Sequence, residues 1–249
     1  MTQTRSLIVG SFVLIGTFAG SAATADLVVL DSVAHGTLYD TSGAPLANGL
    51  GRHLFAGKNG QNLARRGLLR FDLAGLGAEV VVESVILRLH VSQANAAATE
   101  VDLHRVTSDW GVGSTDAPGG EGGGGPATAG SATWNESFFG QTAWATAGGD
   151  FDAVTSASSI VAGGGWYEWS GQGLVDDLQS VVDGTAANFG WILLGDESGA
   201  STAKRFDSMF ADEPFRPELL VEFTVVPTPG AVALLTLAGL SPCVRRRRA

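Results

Sequence analysis

The stretch Glu218-Leu219-Leu220-Val221-Glu222-Phe223-Thr224-Val225 alternates with a period of two, setting Leu219, Val221, Phe223 and Val225 on one side and Leu220, Glu222 and Thr224 on the other. Successive side chains of an extended chain point to opposite faces, so this pattern reads as a strand with one face in a core. Two other stretches repeat it. Gly67 to Leu73 sets Leu69, Phe71 and Leu73 against Leu68, Arg70 and Asp72, and Ser84 to Ser92 sets Val85, Leu87, Leu89 and Val91 against Ile86, Arg88 and His90. Further strands are expected at Leu27 to Ala34, Glu100 to Thr107 and Asn188 to Gly195, the last nearly continuous in apolar residues and therefore central. Only Leu174 to Val182 reads as a helix, with Leu174, Leu178 and Val181 at helical spacing and Asp176 and Asp177 near its start. Strands that recur without intervening helices predict an all-β fold, an antiparallel jelly-roll β-sandwich with one short helix. Between Gly111 and Gly130, nine glycines and almost no apolar side chains predict a long mobile loop that does not pack.

Both ends of the chain read differently from this body. Residues 1–25 carry a short basic start ending at Arg5, an apolar run from Leu7 to Ala19 and small residues at Ala23-Thr24-Ala25, the pattern of a secretory signal peptide cleaved before Asp26. Residues 227–249 follow Val226 with a proline-bearing start, an apolar segment from Gly230 to Val244 expected to be helical, and Arg245 to Arg248. Such a segment is marginal for spanning a bilayer, and its arginines would stay on the cytoplasmic side. It reads as a sorting or anchor tail making transient membrane contact. The body, 26–226, contains no cysteine, since Cys243 is the only one in the chain, so no disulfide or thiolate site can form there.

The chain has 249 residues and a net charge of −10. Five of its 15 basic residues, Arg5 and Arg245 to Arg248, lie in the end segments, leaving ten against all 25 acids and a net of −15 for the body. That balance excludes general nucleic-acid binding. Arg52, Lys58, Arg65, Arg66 and Arg70 nevertheless follow one another with no acid among them. An outward row of Arg66 and Arg70, beside Arg88 and His90 on a neighbouring strand, is a candidate site for uronates or sulfated sugars, because the guanidinium fork pairs two hydrogen bonds with a carboxylate. The alternative is that each arginine pairs with an acid from another strand. In Trp166-Tyr167-Glu168-Trp169 one alternate pair can be exposed, making Trp166 and Trp169 candidate stacking platforms for sugar rings. Asp150 with Asp152, and Asp196 with Glu197, are candidate oxygen ligands for a structural calcium ion. The four histidines show no zinc spacing, and neither a nucleophile elbow nor a phosphate loop is present, so no enzyme is expected.

Seven segments then fall in order along the body: Arg66 to Leu73, Leu103 to Thr107 with Trp110, Ala132 to Asn135, Trp144 with Gly148 to Phe151, Asn188 to Leu194, Lys204 to Ser208, and Arg216 to Leu219. Together they resemble a DNRLRE domain, a family related to carbohydrate-binding modules found beside polysaccharide lyases. The resemblance implies a jelly-roll sandwich, a non-catalytic role and, in some relatives, binding of acidic polysaccharide. Met209 and Phe210 stand where that family carries an arginine and a glutamate. The tail, from Val226-Pro227-Thr228-Pro229 to the arginines, resembles a PEP-CTERM sorting signal, with Thr228 in the place of a glutamate. This implies an exosortase-type processing enzyme as partner. The expectation is an exported, non-catalytic protein of the cell envelope or extracellular matrix, structural or polysaccharide-associated; the alternative is a dedicated carbohydrate-binding module for uronate-type polysaccharides.

Overall fold

The structure, a computed structural model, describes residues 25–77, 79–94 and 97–226. The signal and sorting-tail readings lie outside the described residues. In chain order the strands are β1 (Asp26–Tyr39), β2 (Leu46–Ala47), β3 (His53–Lys58), β4 (Ala64–Phe71), β5 (Val80–Ala94), β6 (Thr99–Arg105), β7 (Gly125–Pro126), β8 (Glu136–Phe138), β9 (Thr142–Ala143), β10 (Ala157–Val161) and β11 (Gly165–Ser170). Helix α1 (Gln172–Val182) follows, then β12 (Trp191–Leu194), β13 (Lys204–Asp207) and β14 (Glu218–Val225).

All pairings are antiparallel. One sheet runs β1-β14-β5-β13-β3, with β11 along the opposite edge of β5, so that Arg88 is flanked by Glu218 on one side and Glu168 on the other. The second runs β1-β4-β12-β6-β10. An open sandwich would keep the two apart. Here β1 and β3 serve both sheets, and β1-β14-β5-β13-β3-β4 return to β1 as a closed circuit of six strands. At 14 residues β1 is long enough to turn a corner, and it does so at a register shift between Ser32 and Ala34, where a bulge bends and twists the strand. β3 changes sheets at Gly57, whose φ of 109° only glycine adopts readily; a Cβ there would come within 3.0 Å of the Ala203 backbone.

The alternation read from sequence sets the core. Leu219 and Val221 of β14, Val85, Leu87, Leu89 and Val91 of β5, and Leu69 and Phe71 of β4 all point into one apolar cluster. Val225, the last residue of its strand, is the exception at 52% exposed. Leu174 and Leu178 of α1 enter the same cluster. The helix starts two residues before the expected Leu174, which places Asp176 and Asp177 in its second turn rather than at its N-terminus. Asp177 serves a different purpose, accepting hydrogen bonds from the Ser156 hydroxyl and the Trp191 indole (3.0 Å) and pairing with Arg105 at 3.3 Å.

The glycine-rich segment 111–130 is not a loose loop. β7 pairs with β2, Glu121 is 6% exposed, and the Tyr39 hydroxyl donates to the Glu121 carbonyl at 2.9 Å. Its poverty in side chains is what allows it to lie so close to its surroundings. A Cβ on Gly111 would stand 1.8 Å from the Gly130 carbonyl oxygen, and one on Gly113 would stand 1.9 Å from Ser131 Oγ. Read as a sign of looseness, the glycine content instead marks close backbone approach.

Candidate functional site

The six residues expected to bind a ligand divide between the two sheets. Arg66 and Arg70 lie on β4, in the sheet with β12; Arg88 and His90 lie on β5, in the sheet with β14. They do not form one row.

On β4 each arginine is already engaged. Arg66 makes two hydrogen bonds to Glu197, at 2.8 and 2.9 Å, donates to the Gly148 carbonyl and stacks 4.9 Å from the Trp134 ring. Arg70 donates to Asp109 at 2.7 Å and lies 4.9 Å from the Trp110 ring. The acids come from loops 39 and 131 residues away, so the sequence around the arginines shows none of them.

On β5 and β11 three of the expected residues do meet. Arg88 lies 5.0 Å from the Trp166 ring and the His90 ring 5.4 Å from it, while Phe215, 39% exposed, packs 4.4 Å from His90. Arg88 is also held by Glu218 at 2.8 Å and Glu168 at 3.2 Å. Acids thus surround this aromatic patch. Trp169 belongs elsewhere: alternation along β11 turns it inward, it is fully buried, its indole donates to the Val101 carbonyl at 2.7 Å, and its ring meets Phe206 edge-on. It is core and not a stacking platform.

The proposed calcium ligands are turned to other partners. Asp150 accepts from the Ser108 hydroxyl and from the Ala145 and Thr146 amides, and Asp152 from Arg105 and the Val154 amide. Asp196 caps the Ser198 amide, with hydrogen bonding to Ser198 holding its pKa below the usual carboxylate range, and Glu197 is the partner of Arg66. Among the described residues no group of three or more His, Cys, Asp or Glu side chains is arranged to hold a metal ion.

Beyond the aromatic patch on the same outer face, the register Phe55–Arg205–Gln93 crosses β3, β13 and β5. These three line a cleft of about 420 Å³ whose other wall is the loop Gly120 to Gly123, with Arg65 alongside. Arg65 is spent on carbonyls of Ala64, Asp40 and Gly122 and lies over the Tyr39 ring at 4.9 Å. Arg205 donates its Nε to Ser92 at 3.0 Å. Among the described residues neither Arg65 nor Arg205 forms an ion pair with a carboxylate.

Glu121 holds the loop in place. Its carboxylate accepts from the Arg52 amide (3.1 Å), the His53 amide (2.8 Å) and Asn48 Nδ2 (2.9 Å), and His53 Nδ1 stands 3.1 Å away. Burial opposes ionisation of Glu121, but the hydrogen bonds from His53 and Asn48 outweigh it and hold the pKa down to about 2. Nearby His35 is wholly buried; desolvation lowers its pKa to about 4, so the ring is neutral and Nε2–H donates to the Gly51 carbonyl at 2.9 Å. Sequence reasoning did not find Arg205, Glu121, His53 or Asp207. One signal was present: Glu121 is the lone charge between Gly119-Gly120 and Gly122 to Gly125, where glycines permit a close approach and the carboxylate supplies the anchor.

No model of a known protein family matches the chain, and no curated protein matches it.

Proposed function

We propose that this is a non-catalytic, exported protein of the cell envelope or extracellular matrix whose body associates with acidic polysaccharide. The observation that carries the reading is the cleft of β3, β13 and β5, where Arg205 lines a concave surface and, among the described residues, forms no ion pair with a carboxylate in a body of net charge −15. Most arginines of the body are neutralised in place, and an arginine left with donors toward a cleft is suited to a ligand carboxylate or sulfate. Phe55 and Gln93 complete the strand wall of the cleft beside Arg205. The DNRLRE resemblance of the body supports the same ligand class and a jelly-roll plan. Export and sorting rest on the sequence of the two ends, the second resembling a PEP-CTERM tail.

The test is calorimetric titration of a hexauronate and of a neutral hexasaccharide at low and high salt. The hexauronate is expected to bind and to weaken as salt screens the charges, the neutral sugar not to bind, and Arg205→Ala to weaken hexauronate binding tenfold or more. Absence of binding at low salt would leave a purely structural component.

A further inference from the structure

Behind the loop wall of the cleft four titratable side chains stand in line. Glu121 Oε1 lies 3.1 Å from His53 Nδ1, His53 Nε2 lies 3.5 Å from Asp207 Oδ1, and Asp207 Oδ2 lies 2.6 Å from His90 Nδ1. The His53–Glu121 contact is an ion-pair distance without the direction of a hydrogen bond. The groups come from the 111–130 segment, β3, β13 and β5, and their side chains are only 7 to 18% exposed. Glu121 at one end lines the cleft; His90 at the other end touches Trp166 and Phe215.

Imidazole is the side chain that ordinarily changes charge between pH 5 and 8. With both rings neutral the row carries two uncompensated carboxylates; with both protonated it carries none. Two neighbouring cations are already paired. Arg88, beyond the Trp166 ring, is held by Glu168 and Glu218, and the Arg52 side chain is turned to Asp212 at 2.7 Å. His35 is neutral and bound to Gly51. The only cations facing the cleft itself are Arg65 and Arg205 among the described residues.

We propose that His53 and His90 make anion binding in the cleft proton-linked, so that a polyuronate binds more tightly as the pH falls from 8 to 5.5. This rests on the reading that the cleft takes an acidic glycan. A carboxylate entering on Arg205 meets the field of Glu121 and Asp207 within about one Debye length, roughly 8–10 Å, and each proton taken up by the row cancels part of the opposing charge. Reciprocity requires the ligand, in turn, to draw protons onto the row. The device would favour retention on the glycan where the medium is acidic and release where it is alkaline.

The test is titration of the full chain with a hexauronate, whose carboxylates remain ionised throughout, at pH 8 and 5.5 and fixed salt, in two buffers of different ionisation heat so that proton uptake is counted. Wild type is expected to bind about fivefold to tenfold more tightly at pH 5.5 with net proton uptake, and His53→Gln/His90→Gln to bind with no pH dependence. Binding by wild type that is equal at both pH values and takes up no proton overturns the proposal while leaving the acidic-glycan reading intact. No binding at either pH overturns both. Should the double variant fail to fold, the ring resonances of His53 and His90 in wild type decide. Their titration midpoints must move upward on adding the hexauronate, and unmoved midpoints overturn the proposal.

Discussion

Arg66 and Arg205 both project from strands of an acid-rich body, yet they do opposite things. Arg66 is clasped by Glu197 in two hydrogen bonds, capped by the Gly148 carbonyl and covered by Trp134, whereas Arg205 gives one hydrogen bond to Ser92 and lines a cleft. A cluster of arginines in sequence therefore says little about a binding surface. What counts is which carboxylates the fold delivers from elsewhere: Glu197 reaches β4 from 131 residues away, and none reaches Arg205 among the described residues. Availability, not charge density, separates the two regions.

The comparison can be broken most directly by removing each arginine in turn. Arg66→Ala leaves Glu197 half-buried without its partner and uncovers Trp134, which is expected to cost about 2 kcal/mol, less than a wholly enclosed ion pair because both groups retain some solvent. Arg205→Ala should cost under about 1 kcal/mol, its side chain donating among the described residues only to Ser92. Urea unfolding midpoints at pH 7 measure both. Equal losses would show that Arg205 is as structural as Arg66.

The next largest effects concern acid, and they fall on the cleft end of the molecule. Burial holds His35 neutral down to about pH 4 against an ordinary 6.5, so the unfolded chain takes up this proton first. Its contribution is complete above pH 6.5 and is lost as pH falls from 6.5 toward 4. Glu121 works in a lower window. Held down to about 2 from 4.5, it contributes fully above pH 4.5 and loses that contribution between 4.5 and 2. Urea unfolding from pH 7.5 to 3 should show a two-stage acid limb. His35→Gln is expected to flatten the upper stage, and Glu121→Gln the lower stage, while costing about 1–2 kcal/mol at pH 7 through weakened hydrogen bonds to Asn48, Arg52 and His53.

How far the fold was legible follows from what each pattern depends on. β14 was read to the residue and α1 within two, since periodicity reports directly which side faces a core. Closure of the strand circuit was not legible. It depends on the bend at Ser32/Ala34 and the crossing at Gly57, neither of which alters the alternation. Of the candidate site, the Arg88–His90–Trp166 meeting was half visible: alternation put Trp166 and Trp169 on opposite faces but could not say which was inward. The cleft was invisible because Phe55, Arg205 and Gln93 are neighbours only through strand register, and its remaining wall is the glycine segment that composition alone makes look unstructured.

The smallest expected effect is that of calcium, and it extends the same distinction from cations to acids. A carboxylate offers its oxygens to an ion only when the fold has not already committed them. Asp150 receives two backbone amides and a serine hydroxyl at 2.9 to 3.1 Å, and backbone donors cannot be turned away without breaking the Ala145 to Asp150 turn. Glu197 would have to release both of its bonds to Arg66. An ion that must displace such partners gains little, so a change from millimolar chelator to millimolar calcium should shift the thermal midpoint by under about 1 °C, as stabilisation by binding is small while ligand concentration stays well below Kd. Differential scanning calorimetry reads this directly. A shift of several degrees would mean that at least one acid pair is free to leave its protein partners. Committed and available groups would then not be separable from their hydrogen bonds in the unliganded fold, and the contrast between Arg66 and Arg205 would lose its basis as well.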